Sequence, residues 1–382
     1  MLLSKDNITL INLIRLQQAF GAGSTKAVKF FNVLRDNDLL DTDFNKSKIE
    51  SIIGNKYAEK IMNVSLQFVF KIIDDCLKND ICILTICDTE YPIRLRNISD
   101  CPIVLYYKGE FKNIDSLPLI SIVGPRKISE FGKKAAYSLA RRLSSAGMII
   151  VSGAAIGADT CAHKGALAVN AKTIAVLGCG ICYDYLPENR ILREKISKSG
   201  CLISEHPPFA SATKFGFPIR NRIISALSVG TVVIEASFKS GSLITARLAN
   251  DQGRDVFVIP GNPTLENYKG SNALLRDGAI PLLDANDIFN HYLSIFPGLI
   301  DVEKAYEANE DKNIKKINKN FHLSLSNEAK IVYNNMNKQI FTVDDLLVTD
   351  LSDDQLLSAL TELEIEGVIK ALPGGMYEVK NN

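Results

Sequence analysis

Between residues 119 and 283 the hydrophobic positions follow two alternating patterns. Short runs that are apolar at nearly every position predict buried strands, at 119–123, 148–152, 173–177, 201–204, 231–235, 255–259 and 280–283. Segments with helical spacing separate most of these runs, at 128–145, 158–169, 189–198, 219–228 and 243–252. Strands that are hydrophobic on both faces are typical of a parallel sheet covered by helices. The predicted fold class is therefore α/β, with a doubly wound and mostly parallel sheet.

The flanking segments predict further domains. Residues 1–75 show helical spacing on both sides of Gly21–Thr25, which predicts a small helical domain. Two helices joined by a Gly-x-Gly turn resemble a helix–hairpin–helix unit, which can offer turn amides to a DNA phosphate; plain helical packing is the alternative. The central domain is expected to span 76–295, with two extended segments, 81–86 and 102–107, ahead of the alternating pattern.

The C-terminal part predicts a charged linker at 296–322 and a winged helix at 323–382. Three short helices, about 326–336, 342–348 and 352–366, precede a two-stranded ribbon, which is the winged-helix order. A winged helix that reads DNA needs cations, but this module has 4 Lys and 10 Asp or Glu. A protein-contact role is therefore favoured over DNA binding.

The net charge of +1 hides an asymmetry between the domains. Residues 121–290 contain 20 Lys or Arg and 13 Asp or Glu, a balance of +7, which favours an anionic partner over a surface-charge fluctuation. The first residues lack the order of a secretory signal, and no apolar run is long enough for a membrane span. The eight cysteines, including the CxxC at Cys179–Cys182, form no spaced framework. A cytoplasmic protein with reduced thiols and without a membrane partner is expected.

The strand at 119–123 ends at Gly124, and Pro125, Arg126 and Lys127 follow before a helical segment. A strand that turns tightly into a helix presents backbone N–H groups at the carboxyl edge of the sheet. With two cations beside these amides, an anion-binding site is expected here.

Other loops are expected at the same sheet edge, where open α/β sheets bind their ligands. They include Ser152 and Gly153 after the second strand, and Lys239, Ser240 and Gly241 after the fifth. Neither a GxGxxG with a downstream acid nor a GxxxxGK[ST] is present, so ordinary dinucleotide or ATP binding is not supported and no cofactor is predicted.

Residues 214–222 concentrate three cations and two aromatic residues ahead of a helix expected at 223–227. Cations neutralise phosphates, and aromatic faces stack on unpaired bases. The segment therefore indicates single-stranded nucleic acid, with a solvated loop and core phenylalanines at 215 and 217 as the alternative.

Candidate acid–base residues do not assemble into a catalytic set. Asp159 is expected near a helix start, where it or Thr160 can cap the helix, and His163 is expected to be a packed histidine. Neither His206 nor Glu205 completes a triad with a nucleophile and an orienting group. No catalytic residues and no metal site are predicted.

Ordered motifs across 81–290 resemble the DNA-processing protein A family, also called Smf. They include Ser121-Ile-Val-Gly-x-Arg126, Val151-Ser-Gly-x-Ala155, Phe217-Pro-x-Arg-Asn-Arg222 and Ser240-Gly241-Ser242. The resemblance implies a Rossmann-like sheet flanked by a sterile-alpha-motif-like domain and a winged helix. It also implies a non-enzymatic cytoplasmic homodimer that binds single-stranded DNA and loads RecA recombinase during natural transformation.

The same resemblance assigns the predicted site residues. Arg126 matches a phosphate contact in the turn that contains Gly124, Pro125 and Lys127. A phosphate-contacting lysine is matched by Lys214, and Phe217 lies where an aromatic lines a base pocket. The polar wall is matched by Arg220, Asn221 and Arg222. Two departures are Pro125, where the family usually has Ser or Thr, and Ile156, where Arg is common.

Two alternatives to this function stay open. One is a nucleotide-processing enzyme of the lysine-decarboxylase-like phosphoribohydrolase type, although that class carries Pro-Gly-Gly-x-Gly-Thr where this chain has Lys239-Ser-Gly-Ser242. The other is a RecA-binding adaptor with little DNA contact, which would load filaments without binding DNA itself.

Overall fold

The computed structural model describes residues 5–307, 325–336, 340–346, 351–366, 368–372 and 375–379. The chain divides into two compact units, Met1–Ala305 and Tyr306–Asn382. In the described ranges every helix is too short or too polar to span a lipid bilayer.

The first unit begins with five helices: α1 (Lys5–Phe20), α2 (Thr25–Asp36), α3 (Lys46–Ile53), α4 (Asn55–Met62) and α5 (Leu66–Lys78). Gly21 and Gly23 join α1 to α2 with φ values of 81° and 69°, a region that glycine adopts without strain. The buried faces of these helices belong to the same hydrophobic cluster as one face of the sheet. The predicted boundary between residues 75 and 76 lies inside α5.

The rest of the first unit alternates strands and helices. Its strands are β1 (Cys82–Thr85), β2 (Val104–Gly109), β3 (Leu119–Val123), β4 (Ile149–Ser152), β5 (Thr173–Leu177), β6 (Cys201–Ser204), β7 (Gly230–Val233), β8 (Asp255–Val258) and β9 (Ile280–Pro281). Its helices are α6 (Ile93–Arg96), α7 (Glu130–Ser145), α8 (Ala158–Ala168), α9 (Arg190–Ser199), α10 (Gly216–Leu227), α11 (Ser242–Asp251), α12 (Glu266–Arg276), α13 (Ala285–Tyr292) and α14 (Val302–Glu307).

These strands form one nine-stranded sheet in the order β1-β2-β6-β5-β4-β3-β7-β8-β9. Strands β3 to β9 run parallel, whereas β2 is antiparallel to both β1 and β6. The chain leaves β3 toward β4 on one side and returns to β7 on the other. Such a switch in strand order opens a crevice at the carboxyl ends of the strands. The doubly wound, mostly parallel sheet predicted from the sequence is confirmed.

Two predicted starts differ from the structure by several residues, and one helix was not predicted. Helix α10 begins at Gly216, not at 219 or 223, because Pro218 lies in the first turn, where a proline costs no hydrogen bond. Helix α12 was not predicted, since half of its residues are polar. The predicted linker begins too early, because Phe296 and Ile300 are buried in the core and α14 extends to Glu307. Residues 308–322 of the predicted linker lie outside the described residues.

The second unit contains α15 (Asn327–Asn335), β10 (Ile340–Thr342), α16 (Asp353–Ile365), β11 (Ile369–Leu372) and β12 (Met376–Val379). Its strands form a three-stranded sheet in the order β10-β12-β11 over a separate hydrophobic cluster. Where a helix was predicted at 342–348, the described residues hold the end of β10 and a short 3-10 turn at Asp344–Leu346. The ribbon follows the prediction, although the turn residues 373 and 374 lie outside the described residues.

Candidate nucleic-acid interface

The crevice between the carboxyl ends of β3 and β7 is about 310 Å³ in volume. Its walls are the Gly124–Arg126 loop, the N-terminal half of α10 and the Ser240–Ser242 turn. We call this space the edge crevice. It brings together segments that are about 90 and 115 residues apart in the chain, counting from Arg126 to Phe217 and Ser240.

A cation and two aromatic rings lie in contact at the edge crevice. The guanidinium carbon of Arg126 is 5.2 Å from the centroid of the Phe217 ring. The ring of Tyr185 also packs on Phe217, with 4.8 Å between the ring centroids and 39° between the ring planes. Arg126 is exposed, whereas Phe217 and Tyr185 are half-buried. The group therefore offers one charge and partly open ring faces to an incoming ligand.

Two glycines allow the Gly124–Arg126 loop to lie against the start of α8. A Cβ atom on Gly124 would come within 2.6 Å of the Cβ of Ala158. At Gly157, φ is 93° and an added Cβ would lie 2.3 Å from the carbonyl oxygen of Pro125. That same oxygen accepts a hydrogen bond from the N–H of Ala158. The close packing fixes the loop that carries Arg126.

The start of α7 is bound by a carboxylate of the protein itself. The helix begins only at Glu130, and Ser129 is its N-cap. The buried carboxylate of Glu235 accepts hydrogen bonds from the Ser129 N–H at 2.6 Å and from its hydroxyl at 2.9 Å. Asn267 donates to the same carboxylate at 2.7 Å. The Ser129 amide is therefore engaged within the protein, and the anion site expected at Gly124–Lys127 stays a prediction.

A second internal carboxylate fills the loop after β4. Asp159 accepts hydrogen bonds from the N–H groups of Gly153 and Ala155 at 3.1 and 3.3 Å. Burial raises the pKa of Asp159, opposed by the nearby Arg220 charge and these amides. Ser152 is fully buried and donates its hydroxyl to the carbonyl of Ile122 at 2.7 Å. Ser152 and Gly153, which the sequence predicted as DNA contacts, are thus buried and do not line the edge crevice.

A third internal carboxylate lies beside the N-terminal helices. Both carboxylate oxygens of Glu205 accept hydrogen bonds from the Arg222 guanidinium, at 2.9 and 2.8 Å. They also accept from the N–H of Gly23, at 3.1 and 3.2 Å. Asp100 lies 3.1 Å from the Nε of Arg222. Burial raises the pKa of Glu205, opposed chiefly by Arg222. The Gly23 amide is thus engaged within the protein, which favours plain helical packing over a helix–hairpin–helix contact to DNA. Arg222 is likewise held inside the protein.

Arg220 and Asn221 form the deep wall of the edge crevice. Arg220 is 6% exposed and donates to the carbonyl oxygen of Val176. Burial lowers the pKa of Arg220, and the Asp159 carboxylate opposes this shift. Asn221 is half-buried at the same wall. Of the predicted polar wall, these two residues line the crevice and Arg222 does not.

Three exposed lysines, which we call the rim cations, are close in the chain to residues that line the crevice. Lys127, Lys214 and Lys239 are exposed, and no ion pair involves them or Arg126 among the described residues. Ser240 and Gly241 line the crevice at the start of α11, with the Ser240 hydroxyl 2.7 Å from that of Ser242. The site therefore keeps its acids inside and its cations outside, an arrangement that attracts a polyanion.

The acid–base residues considered from the sequence do not converge on the edge crevice. The prediction of a packed His163 is confirmed: it is fully buried, with Nδ1 2.8 Å from the Thr173 hydroxyl. Burial lowers the pKa of His163 to about 3. All eight cysteines are free, and the described residues contain no group of three His, Cys, Asp or Glu side chains placed to hold a metal.

Tyr185 and Glu235 were missed as site residues by the sequence reasoning. Tyr185 lies in an irregular loop whose carbonyls at 185 and 186 are bound by Arg193, at 2.6 and 3.1 Å. Nothing in its local sequence pattern predicts that it contacts Phe217. Glu235 ends the strand predicted at 231–235, yet its partners at 129 and 267 are distant in sequence, so the local pattern does not predict its structural role.

Two family profiles match the chain. The family described as DNA recombination-mediator protein A covers residues 82–293, and the DprA winged helix domain covers residues 323–375. The "Protein Smf" of Synechocystis is 32% identical over 347 residues, 85% of this chain and 87% of that protein. The "DNA processing protein DprA" of Bacillus subtilis is 39% identical over 206 residues, 54% of this chain and 69% of that protein.

Solved structures agree with these matches. DNA processing protein A from Streptococcus pneumoniae superimposes with a TM-score of 0.65 at 30% identity, covering 76% of this chain and 98% of that one. A structure described as the single-stranded DNA binding mode of DNA processing protein A from Helicobacter pylori gives a TM-score of 0.51 at 31% identity, covering 56% of this chain and 96% of that one. The matches and the shared architecture agree: this chain belongs to the DNA recombination-mediator protein A family, whose members are named DprA or Smf.

Proposed function

We propose that this protein binds single-stranded DNA at the edge crevice, through its backbone and without reading its sequence. The observation that carries the proposal is the contact of exposed Arg126 with half-buried Phe217, at 5.2 Å. A phosphate on Arg126 and a base on the aromatic group would be neighbours in one nucleotide. The rim cations Lys127, Lys214 and Lys239 extend the same electrostatic attraction.

Among the described residues that line the edge crevice, the acid is Asp159, and it is buried. Asp159, Glu205 and Glu235 are each less than 9% exposed and each accepts hydrogen bonds from protein N–H groups. The strand is therefore expected to contact side chains at the rim, with Gly124, Pro125 and the Ser240–Gly241 turn close to its backbone. The Helicobacter pylori relative, described as binding single-stranded DNA, supports the assignment.

The proposal includes a role in DNA recombination as a homodimer that loads RecA recombinase onto the bound strand. Its support is membership of the recombination-mediator family, together with the matched winged helix domain. The protein acts in this proposal as a binding protein and not as an enzyme. Glu235, the acid nearest the Ser240–Gly241 turn in sequence, does not support the phosphoribohydrolase alternative, because its carboxylate is hydrogen-bonded to Ser129 and Asn267.

The test is a titration of labelled single-stranded and duplex oligonucleotides of equal length, each at two salt concentrations. We expect preference for the single strand and weaker binding at the higher salt. Equal affinity for duplex, or binding that ignores salt, would contradict the proposal. Release of free base from nucleoside monophosphates would instead support the enzyme, and filament assembly on a strand coated with single-strand-binding protein tests RecA loading.

A further inference from the structure

We propose a second single-stranded DNA contact on the N-terminal helices, continuous with the edge crevice, so that a long strand runs from the sheet edge across α2 and α4. This inference rests on the proposed function. Its residues are four exposed lysines and two half-buried aromatic rings: Lys26, Lys29, Lys56, Lys60, Phe20 and Tyr57. We call these six residues the helical patch.

The helical patch repeats the combination found at Arg126 and Phe217. The Lys26 ammonium is 5.5 Å from the centroid of Tyr57, and the Lys60 ammonium is 5.1 Å from that of Phe20. The two rings are themselves 6.1 Å apart. Cations beside partly open aromatic faces are the elements with which proteins hold unpaired nucleotides. The patch thus has the chemistry of the first site on a different set of helices.

Charge on the two helices is one-sided. The acids of α2 and α4 are Asp36 and Glu59, and each is engaged by a cation, Arg35 at 3.0 Å and Lys46 at 3.1 Å. The four patch lysines form no ion pair with any residue that the structure describes. Their charges are therefore available to phosphates.

The Gly21–Thr25 turn connects the helical patch with the edge crevice. A Cβ on Gly23 would lie 2.5 Å from Cγ2 of Ile219 and 3.7 Å from Nε of Arg222, so the turn packs directly on α10. One helical turn before Ile219 comes Phe215, whose ring is 78% exposed beside Lys214. Residues four apart share a face of a helix. Phe215 therefore lies on the side of α10 that faces the turn.

The Gly23–Glu205 hydrogen bonds make the connection rigid. The Gln17 side chain also forms hydrogen bonds with the N–H and the carbonyl of Val104 and with the carbonyl of Glu205, at 2.8 to 2.9 Å. The N-terminal helices and α10 thus keep one relative position. A strand of fixed path can then contact both sites without a conformational change.

The test compares Lys26→Glu/Lys60→Glu with the matched control Lys71→Glu/Lys195→Glu, whose lysines are exposed on α5 and α9 and form no ion pair among the described residues. Each double variant changes the net charge by the same amount. Binding is measured on thymidine oligonucleotides of about six and about twenty nucleotides, the first able to fill one site only. Circular dichroism checks that both variants fold, and Lys26→Ala/Lys60→Ala is a milder second variant.

We expect the patch variant to weaken binding of the long strand on the order of tenfold at 0.1 M salt, while the short strand and the control change by roughly twofold or less. Equal losses on both lengths, or a patch variant that matches the control on both, would overturn the inference. In either case Arg126→Ala shows whether the edge crevice still binds. If Arg126→Ala abolishes binding while the patch variant has no effect, the proposed function stands and only the second contact fails.

Discussion

Arg222 and Glu205 form an almost fully buried ion pair, with side chains 3% and 6% exposed. The pair lies between the sheet and the N-terminal helices, since Glu205 also receives the Gly23 amide. The resemblance to the family placed Arg222 at the DNA, but its geometry commits it to two carboxylates, those of Glu205 and Asp100. Replacing Arg222 is therefore expected to affect mainly the stability of the fold.

Replacing Arg222 with methionine should lower the free energy of unfolding by about 3–5 kcal/mol, because Glu205 is left as a buried and unpaired charge. Arg190→Met is the control, since its pair with Asp184 is exposed to solvent and contributes little to stability. Denaturant titration measures both. If folded Arg222→Met protein lost DNA binding without losing stability, Arg222 would be a DNA contact after all.

Arg126→Ala and Lys214→Ala should each weaken single-strand binding equally for all base sequences. Each removes one phosphate contact, so the slope of log K against log salt should flatten by about 0.7 per variant. The measurement is a fluorescence titration at several salt concentrations, with Lys195→Ala as the control for a distant exposed charge. Unchanged affinity in both variants would refute the edge crevice as the binding site.

Phe217→Ala should cost about 1–3 kcal/mol of binding free energy, because it removes the ring that Arg126 and Tyr185 contact. Phe217→Tyr keeps a ring there and is the matched control. Since Phe217 is only half-buried, the Phe217→Ala protein should lose less free energy of unfolding than free energy of DNA binding. A large loss of melting temperature with normal binding by the folded fraction would make Phe217 a core residue.

Deleting residues 321–382 should leave single-strand affinity equal or slightly higher. The second unit has its own hydrophobic cluster, so the first unit is expected to fold without it. Its 4 Lys and 10 Asp or Glu over residues 323–382 repel DNA. Full-length and truncated proteins are compared at one salt concentration. A roughly tenfold or greater loss on truncation, with the remainder folded, would show that the winged helix binds DNA.

Acid should destabilise the protein through His163. Its folded pKa is about 3, below its ordinary value of 6.5, so on acidification the unfolded chain takes up a proton that the native state refuses. Stability therefore falls as pH drops from about 6.5 toward 3, by about 1.4 kcal/mol per pH unit from this group. Buried Asp159 and Glu205 have raised pKa values and act in the opposite direction.

The difference between wild type and His163→Asn isolates the histidine contribution. Unfolding free energies of both proteins are measured by denaturant titration at several pH values between 4 and 7. We expect the difference to shrink as pH falls. Parallel curves would show that His163 binds its proton in the native state as readily as in the unfolded chain.

Local patterns predicted the strands well, because parallel strands buried on both faces are apolar throughout, as at 119–123 and 173–177. The local pattern predicted Arg126 as a site residue and the family resemblance predicted Phe217, and the structure brings both to one crevice. They did not predict that the carboxylates of Asp159, Glu205 and Glu235 accept hydrogen bonds from backbone N–H groups near the site. The Glu205 and Glu235 bonds join residues 182 and 106 positions apart, and no local pattern encodes such pairs.

The bond between Gln17 and the Glu205 carbonyl spans 188 positions of the chain. During synthesis at about 5–20 residues per second, α1 therefore waits roughly 10–40 s for its partner strand to emerge. Over that time Leu13, Ile14 and Leu16, each fully buried in the finished protein, have no sheet to cover them. The nascent N-terminal helices are thus expected to need protection from aggregation at the ribosome until the sheet has formed.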